Sequence, residues 1–245
     1  MPEKRSRAKH AHGGKNRPSE PVRAGVRRTK QQLRPEILHV DDWMLVVSKP
    51  AGVLAVPGRG KAPVLADLLR QGGAVGPDEP LLIVHRLDRG ASGLMVLART
   101  TEAQKRLSEQ WHERRVDKVY WAIVHGHLKD EAGEIDLPLF VDRDKRIVRV
   151  DPKRGKPAVT RYRAVESLPE HTLLECSPVT GRLHQIRVHL AAIDHPLAVD
   201  ARYGTSSALY LSAVKQNYRP SARRPERPLI GRLTLHALRL SFAHP

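Results

Sequence analysis

Hydrophobic and polar positions alternate along much of the chain after residue 36, and this pattern predicts short β-strands. Residues 37–58, ILHVDDWMLVVSKPAGVLAVPG, hold two β-branched runs around an Asp-Asp turn, which is typical of a hairpin. Further strands are predicted in KVYWAIVHGHL (118–128), VTRYRAV (159–165), HTLLECSPV (171–179) and RLTLHALRLSF (232–242). Strands therefore outnumber helices, and this element count indicates an α+β fold.

Three segments have helical spacing. The apolar residues of APVLADLLRQGG (62–73) stop at two glycines, and TTEAQKRLSEQWHERR begins at a Thr cap and is expected to be helical to about Arg114. In TGRLHQIRVHLAAI (180–193) we expect Thr180 to cap a third helix. Its apolar stripe comprises Leu183, Ile186, Leu190 and Ile193, and an adjacent stripe comprises His184, Arg187 and Ala191.

The charge of the chain points to a polyanionic partner. The 245 residues carry a formal net charge of +17, with an isoelectric point near 10.5. RNA or DNA is the leading partner class, and a membrane surface is the alternative. Residues 1–35 contain eleven Lys or Arg against Glu3 and Glu20, which predicts a disordered basic arm. Such an arm either tracks phosphates, the interpretation we favour, or only aids solubility.

Residues 36–245 are expected to form one domain, with segments 143–156 and 215–232 as exposed basic loops. No apolar run approaches the roughly 18 residues of a membrane span, and the amino terminus lacks the apolar core of a secretory signal, so we expect a cytoplasmic protein. Cys176 is the only cysteine, and its strand setting indicates a buried thiol rather than a nucleophile. No feature indicates an obligate interface, so a monomer without a protein partner is expected.

The stretch VHRLDRGASGLMVL (84–97) places His85, Arg86 and Asp88 in a glycine-punctuated loop before an apolar strand. From this position a rigid scaffold can present a carboxylate to a ligand. From the spacing alone, a turn Asp bonded to backbone donors is a slightly simpler interpretation. Arg187 is expected to reach back to Asp88, favour its ionised form and make it a stronger nucleophile or base in a dry site.

HRLDRGASG (85–93) resembles the H-R-L-D-x-x-T-S-G motif of the RluA family of RNA pseudouridine synthases. Residues 39–58, KVYWAIVHG (118–126) and TGRLHQIRVHLAAIDHPLAVDARYG (180–204) resemble the same family in the same order, as does LTLHALRLSF near the end. The resemblance covers residues 36–245. Four motifs in register are much more specific than any one of them.

The resemblance implies a mixed, largely antiparallel bent β-sheet flanked by helices, with the active site in a central cleft. It implies that Asp88 is the catalytic aspartate, that Tyr120 stacks on the target uracil and that Arg187 pairs with Asp88. Without the resemblance, Tyr120 would be interpreted as a core aromatic. Supporting roles at the substrate fall to His85, Arg86, Arg182, His184 and Gln185. The implied reaction converts uridine to pseudouridine in ribosomal or transfer RNA and needs no cofactor.

Two positions depart from the family pattern. Ala91 stands where the family usually has Thr, and Leu183 stands where Thr or Ser is frequent. Each lost hydroxyl removes a loop-fixing hydrogen bond worth about 1 kcal/mol. In addition, Lys49 at the Lys49-Pro50 turn is a candidate for binding a substrate phosphate, although the turn is equally consistent with a purely structural role.

A metal site is not expected. His184, His189, His195, Asp194 and Asp200 cluster in the sequence, but His184 and His189 are five positions apart and do not share one helical face. Two other functions remain as alternatives. One is a catalytically inactive, basic RNA-binding or ribosome-assembly protein with the same fold. The other is a nuclease or glycosidase, which would need a metal or a second essential carboxylate.

Overall fold

The computed structural model describes residues 33–58, 61–215, 217–221 and 223–245. The predicted basic arm therefore lies outside the described residues except at 33–35. The strands are β1 (Glu36–Val40), β2 (Met44–Lys49), β3 (Leu82–Ile83), β4 (Ser92–Ala98), β5 (Asp117–His125), β6 (Ala132–Asp136), β7 (Leu139–Asp142), β8 (Ile147–Val150), β9 (Val159–Leu168), β10 (His171–Pro178) and β11 (Leu235–Ser241). The helices are α1 (Leu65–Gln71), α2 (Thr101–His112), α3 (Gln185–Ala192) and α4 (Leu211–Val214). No helix among the described residues is both long and apolar enough to cross a membrane.

One sheet dominates the fold. Its strands run in the order β1-β2-β4-β11-β5-β10-β9-β6, with β3 added on β4, while β7 and β8 form a separate hairpin. All neighbours are antiparallel except β4 and β11, which are parallel. Gly93 lies at this parallel junction with φ +111°, and a side chain there would overlap the carbonyl oxygen of Ala237. The predicted mixed, largely antiparallel sheet of an α+β fold is confirmed.

Helices cover both faces of this sheet because the central strands are apolar on both sides. On β4, Met95 and Leu97 face the main core, which also contains Leu65 and Leu69 of α1 and Ile186 and Leu190 of α3. Val96 and Ala98 of the same strand pack instead against Ala103 and Leu107 of α2. Each buried leucine of these layers contributes roughly 1.5–3 kcal/mol to stability. The polar loop that precedes β4 is therefore attached to a strand that is buried on both faces.

The structure confirms most of the predicted elements. The hairpin is β1–β2, the strand segments are β5, β9, β10 and β11, and the two glycines follow α1. Thr100 caps α2 by accepting a hydrogen bond from the N–H of Ala103 at 3.0 Å, as the pattern indicates.

Two predictions about local structure are wrong. The third helix begins at Gln185 rather than after Thr180, because His184 adopts a left-handed conformation with φ 53°. Leu183 is consequently outside the helix and 38% exposed instead of lying on an apolar stripe. Segment 143–156 is not a simple loop either, because it includes β8 and closes the β7–β8 hairpin.

Candidate active site

A cavity of about 290 Å³ opens where the loop before β4, the strand β5 and the start of α3 meet. This volume is at the small end of the range for ligand pockets. Asp88 of the loop, Tyr120 of β5 and Arg187 of α3 all line it, so the structure brings the three predicted catalytic residues together. Asp88 is the one carboxylate among the described residues that line this cavity.

Asp88 is held at the cavity wall by backbone and side-chain contacts. Its carbonyl oxygen accepts a hydrogen bond from the N–H of Ala91 at 3.1 Å, which closes a tight turn. Its carboxylate Oδ2 accepts a hydrogen bond from Nη1 of Arg187 at 2.8 Å. Oδ1 has no hydrogen-bond partner among the described residues; Nε2 of His184 lies 3.8 Å from it. One carboxylate oxygen is therefore anchored and the other is left for a reactant.

Arg187 is itself fixed by a second carboxylate. Its Nε and Nη2 donate to Oδ2 and Oδ1 of Asp200 at 2.7 and 2.8 Å, in the two-point geometry that suits a guanidinium. Asp200 is only 1% exposed. Burial opposes the charge on Arg187, but the hydrogen bonds to Asp200 and Asp88 outweigh it and raise the pKa of Arg187 above its usual value. The guanidinium is thus a permanent cation beside Asp88.

His184 lies on the other side of Asp88, with Nε2 at 3.8 Å from Oδ1. Its Nδ1 lies 2.7 Å from the hydroxyl of Tyr203, which accepts a hydrogen bond from the N–H of Val148 at 3.0 Å. This contact orients the imidazole so that Nε2 faces Asp88. Burial lowers the pKa of His184, an effect that Asp88 opposes and Arg187 reinforces.

Tyr120 presents its ring to the same cavity from the central strand β5. Burial, assisted by the negative charge of Asp88, raises the pKa of Tyr120 to about 12. The side chain is therefore a neutral phenol at physiological pH. A flat neutral ring next to a carboxylate is suited to stacking against a planar base.

His85 supports the cavity wall. Its Nε2 accepts a hydrogen bond from the N–H of Val96 at 3.0 Å, and its ring stacks on Trp111 with centroids 4.6 Å apart. Burial, together with the charge of Lys118, lowers the pKa of His85 to about 3. The ring is neutral in the folded protein, and its Nε2 is already engaged.

The remaining predicted substrate contacts divide into two groups. Arg86 and Arg182 line the cavity, and Arg86 is exposed. Gln185 lines it too but is buried, and both ends of its amide are occupied by protein groups: Oε1 accepts from Thr180 and from the N–H of Arg182, while Nε2 donates to Val159 and Thr160. Gln185 therefore anchors the turn before α3, and this arrangement does not support a direct contact with substrate.

The structure argues against the prediction that Lys49 binds a substrate phosphate. Lys49 is 0% exposed, and its Nζ donates to the carbonyl oxygens of Pro50, Val53 and Ala91 at 3.0, 2.9 and 2.7 Å. A phosphate would have to enter the core to reach it. The ammonium instead ties the loop after β2 to the loop that carries Asp88.

The contact between Lys49 and the carbonyl oxygen of Ala91 also explains how the loop that carries Asp88 stays fixed without a Thr hydroxyl at position 91. The side chain at this position is 1% exposed, and the loop is fixed through the backbone: the N–H of Ala91 bonds to Asp88 and its carbonyl accepts from Lys49. Leu183, the second departure from the family pattern, is exposed beside the cavity and outside α3. Neither residue touches the Asp88 carboxylate through a polar group.

Sequence reasoning missed three residues that shape the site: Asp200, Tyr203 and Trp111. The first two lie within the DARYG stretch after α3, where the only signal was a short run of polar and aromatic residues. In the sequence, Asp200 stands out only as a possible metal ligand.

The described residues contain no group of three or more His, Cys, Asp or Glu arranged as metal ligands. Both ring nitrogens of His189, for example, lie 2.9 Å from oxygens of Thr160 and Leu137.

The chain matches a known family, curated relatives and solved structures. A family model for RNA pseudouridylate synthase matches residues 43–192. The ribosomal large subunit pseudouridine synthase C of Vibrio vulnificus is 37% identical over 215 residues, which are 87% of this chain and 63% of that protein. The dual-specificity RNA pseudouridine synthase RluA of Pasteurella multocida is 36% identical over 212 residues, which are 86% of this chain and 87% of that protein.

Among solved structures, human RNA pseudouridylate synthase domain containing 1 matches with a TM-score of 0.67 and 24% identity, over 87% of this chain and 80% of that one, and so shares the fold. The chain spans 63% of the length of the two Vibrio relatives named synthase C, from V. vulnificus and V. cholerae. The family match covers more than half of the chain, and the Pasteurella relative is matched along most of its own length. The chain belongs to the RNA pseudouridylate synthase family.

Proposed function

We propose that this protein is an RNA pseudouridine synthase that isomerises uridine to pseudouridine with Asp88 as its catalytic carboxylate. The observation that carries the proposal is the setting of Asp88: one oxygen is bonded to Arg187 at 2.8 Å and the other is directed at a cavity that Tyr120 also lines. A carboxylate that is fixed by an ion pair and partly shielded from water is a competent nucleophile or base.

The proposed reaction requires few catalytic groups, in agreement with the single carboxylate among the described residues that line the cavity. The N1–C1′ bond breaks, the uracil turns while it stays bound, and a C5–C1′ bond forms; C5 loses a proton and N1 gains one. Atoms and electrons balance without another reactant. Asp88 serves as the nucleophile or base, and the permanent charge of Arg187 keeps the carboxylate oriented throughout.

Tyr120 holds the base during this rearrangement. The target uridine leaves its stack in the RNA to reach Asp88, and a neutral aromatic face compensates for part of the lost stacking. Because the pKa of Tyr120 is raised to about 12, its ring remains uncharged over the working pH range. Arg86 and Arg182 at the cavity wall supply positive charge for the phosphates of the flipped nucleotide.

The alternative chemistries lack a second reactive group. A glycosidase needs a second positioned carboxylate, but Asp88 is the one acidic side chain among the described cavity residues, and Asp200 is occupied by Arg187. An inactive RNA-binding protein would not require the Asp88, Arg187 and Asp200 arrangement to be intact.

The names of the relatives refer to the ribosomal large subunit and to dual specificity. We therefore propose ribosomal RNA as the first substrate and transfer RNA as the second, acted on by a monomer in the cytoplasm.

The test replaces Asp88 by Asn, which keeps the size of the side chain and removes its charge. Pseudouridine formation in ribosomal and transfer RNA from a strain lacking this gene should fall by at least about a thousandfold, while RNA affinity changes by less than about twofold. Asp42→Asn, at an exposed Asp in the β1–β2 turn, is the matched control and should retain full turnover. Normal turnover by Asp88→Asn would exclude the proposed role, and no pseudouridine from the unmodified protein on either RNA would exclude the function.

A further inference from the structure

A second groove, of about 440 Å³, adjoins the active-site cavity. It lies where β5 begins and where β10 and β11 end, and Lys118 and Pro178 line both the groove and the cavity. A chain that leaves the cavity past these two residues enters the groove directly. We call it the outer groove and define it by Arg114, Lys118, Arg161, Ser177 and Arg239.

The outer groove is positively charged and only partly neutralised. Arg161 is paired with Glu134 at 2.8 Å, and Asp117 is the one acidic residue among the described residues that line the groove. Arg114, Lys118 and Arg239 make no ion pair within 4 Å with any described residue. Burial and the nearby charge of Arg114 lower the pKa of Lys118. These cations repel one another, and a bound polyanion would relieve that repulsion.

An exposed aromatic ring extends the outer groove. Trp121 follows Tyr120 on β5, so its side chain points to the opposite face of the sheet and is 41% exposed. It lies two residues, about 7 Å, along the strand from Val119, which lines the groove and pairs with Arg239 of β11. On its other side Trp121 pairs with Glu175 of β10. The same face therefore presents a flat apolar ring near Arg239, while the carboxylate of Glu175 is itself ion-paired with an arginine at 3.4 Å.

A flat ring next to spaced cations is the combination that binds single-stranded nucleic acid, because bases stack on the ring and phosphates follow the positive charge. A folded protein partner would need an acidic surface that fits both this groove and the adjoining cavity. The continuity through Lys118 and Pro178 favours a strand that already has one nucleotide in the cavity.

We propose that the outer groove and Trp121 bind the single-stranded nucleotides that flank the target uridine. The proposal rests on the proposed function in that it names where that RNA runs after it leaves the cavity. Tyr120 and Trp121, on opposite faces of β5, then contact different nucleotides of one RNA strand. The flipped base stacks on Tyr120, and a flanking base stacks on Trp121 outside the cavity.

The test measures fluorescence anisotropy of a labelled oligouridine of about 12 nucleotides, a length within the usual range for single-strand sites. All proteins carry Asp88→Asn so that the probe is not converted. Trp121→Ala should raise the Kd about fivefold or more, and Trp121→Phe should restore most of the affinity. Arg239→Gln should weaken binding and reduce the slope of log K against log salt by about 0.7.

Two control variants are matched to these changes. Trp43→Ala removes an indole that is 37% exposed and lies near Arg106, and Lys129→Gln removes an exposed charge beyond the other end of β5. Both should bind the probe as the Asp88→Asn parent does. Thermal unfolding of each variant checks that the fold is intact, and Arg239→Gln alone carries the test if Trp121→Ala unfolds.

Parent-like affinity in both Trp121→Ala and Arg239→Gln would overturn the proposal, whatever else binds the groove. The unmodified protein is assayed separately for pseudouridine formation in ribosomal RNA. If it forms pseudouridine and the groove variants bind normally, the groove proposal fails and the function stands. If it forms none and the variants lose the probe, the function fails and the groove still binds RNA.

Discussion

Arg187 and Asp200 are joined by two parallel hydrogen bonds, from Nε to Oδ2 at 2.7 Å and from Nη2 to Oδ1 at 2.8 Å. This two-point contact leaves Nη1 for Asp88 and fixes the plane of the guanidinium. The position of Asp88, the proposed catalytic carboxylate, therefore depends on a second acid that lies outside the cavity lining.

Asp200→Asn should reduce both activity and stability. The Asn amide cannot accept at both positions, so one guanidinium N–H loses its partner in a buried site, and the free energy of unfolding should fall by about 3 kcal/mol. Loss of alignment at Asp88 should lower kcat by about 10- to 100-fold. Urea unfolding and single-turnover pseudouridine formation measure the two effects.

Asp194→Asn, in the loop after α3, is the control for Asp200→Asn and should change neither quantity by much. Asp200 also accepts hydrogen bonds from the N–H groups of Arg202 and Tyr203. Asp200→Glu, which restores the charge but not the geometry, should recover stability better than kcat. Wild-type kcat in Asp200→Asn would show that Arg187 does not need this partner to position Asp88.

His85 makes stability depend on pH. Its pKa is lowered from 6.5 to about 3 in the folded protein, so between these values the unfolded chain binds a proton that the folded chain does not. Stability is then complete above pH 6.5 and is lost as the pH falls, by about 2 kcal/mol at pH 5. His85→Gln keeps an acceptor for the N–H of Val96 and should lose correspondingly less between pH 8 and pH 5 in urea unfolding. His112→Gln, on the exposed face of α2, should lose as much stability between pH 8 and pH 5 as the wild type does. An equal loss in His85→Gln would contradict the assignment of this pH dependence to His85.

Lys49→Met tests whether the buried ammonium is structural. The substitution leaves the carbonyl oxygens of Pro50, Val53 and Ala91 without this donor in the core, and the free energy of unfolding should fall by about 2–4 kcal/mol. RNA binding should keep the same slope against salt concentration, since the side chain is 0% exposed. A slope reduced by about 0.7 would instead support the phosphate contact that the sequence suggested.

Lys153 and Lys156 lie exposed next to the β7–β8 hairpin and are expected to contact RNA phosphates. Replacing both by Ala should weaken RNA binding and reduce the salt slope by about 1.4 for single-stranded RNA. Arg154 is kept, because it is bonded to Asp151 at 3.0 Å and lies over the ring of Phe140. The double variant of Lys105 and Lys129 carries the same charge change elsewhere, and equal slopes in the two double variants would show that the hairpin does not contact RNA.

The sequence could predict those parts of the fold that depend on local periodicity. The β1–β2 hairpin and α2 follow directly from alternation, turn residues and a Thr cap, because these signals lie in the local sequence of each element. The start of α3 could not be predicted in this way. It depends on Gln185, whose amide contacts Val159 and Thr160 from a distant strand.

The same distinction applies to the site. Asp88, Tyr120 and Arg187 lie in recognisable motifs, and their convergence on one cavity agrees with the predicted ion pair. In the sequence, Asp200 stands only in a cluster unlike a metal site, and Lys49 is a candidate for a phosphate contact, because charged side chains are normally exposed. Only the folded structure shows that both are buried, that Lys49 bonds to Ala91 42 positions away and that Asp200 holds Arg187 in place.

The place of β11 in the sheet has a consequence for folding during synthesis of the chain. β11 is the strand that bridges β4 and β5, yet it is synthesised more than a hundred residues after them. Until β11 is added, no strand joins β4, which follows the loop of Asp88, to β5, which carries Tyr120. We expect a nascent chain to acquire affinity for RNA, through its basic segments, before it acquires the capacity to alter it.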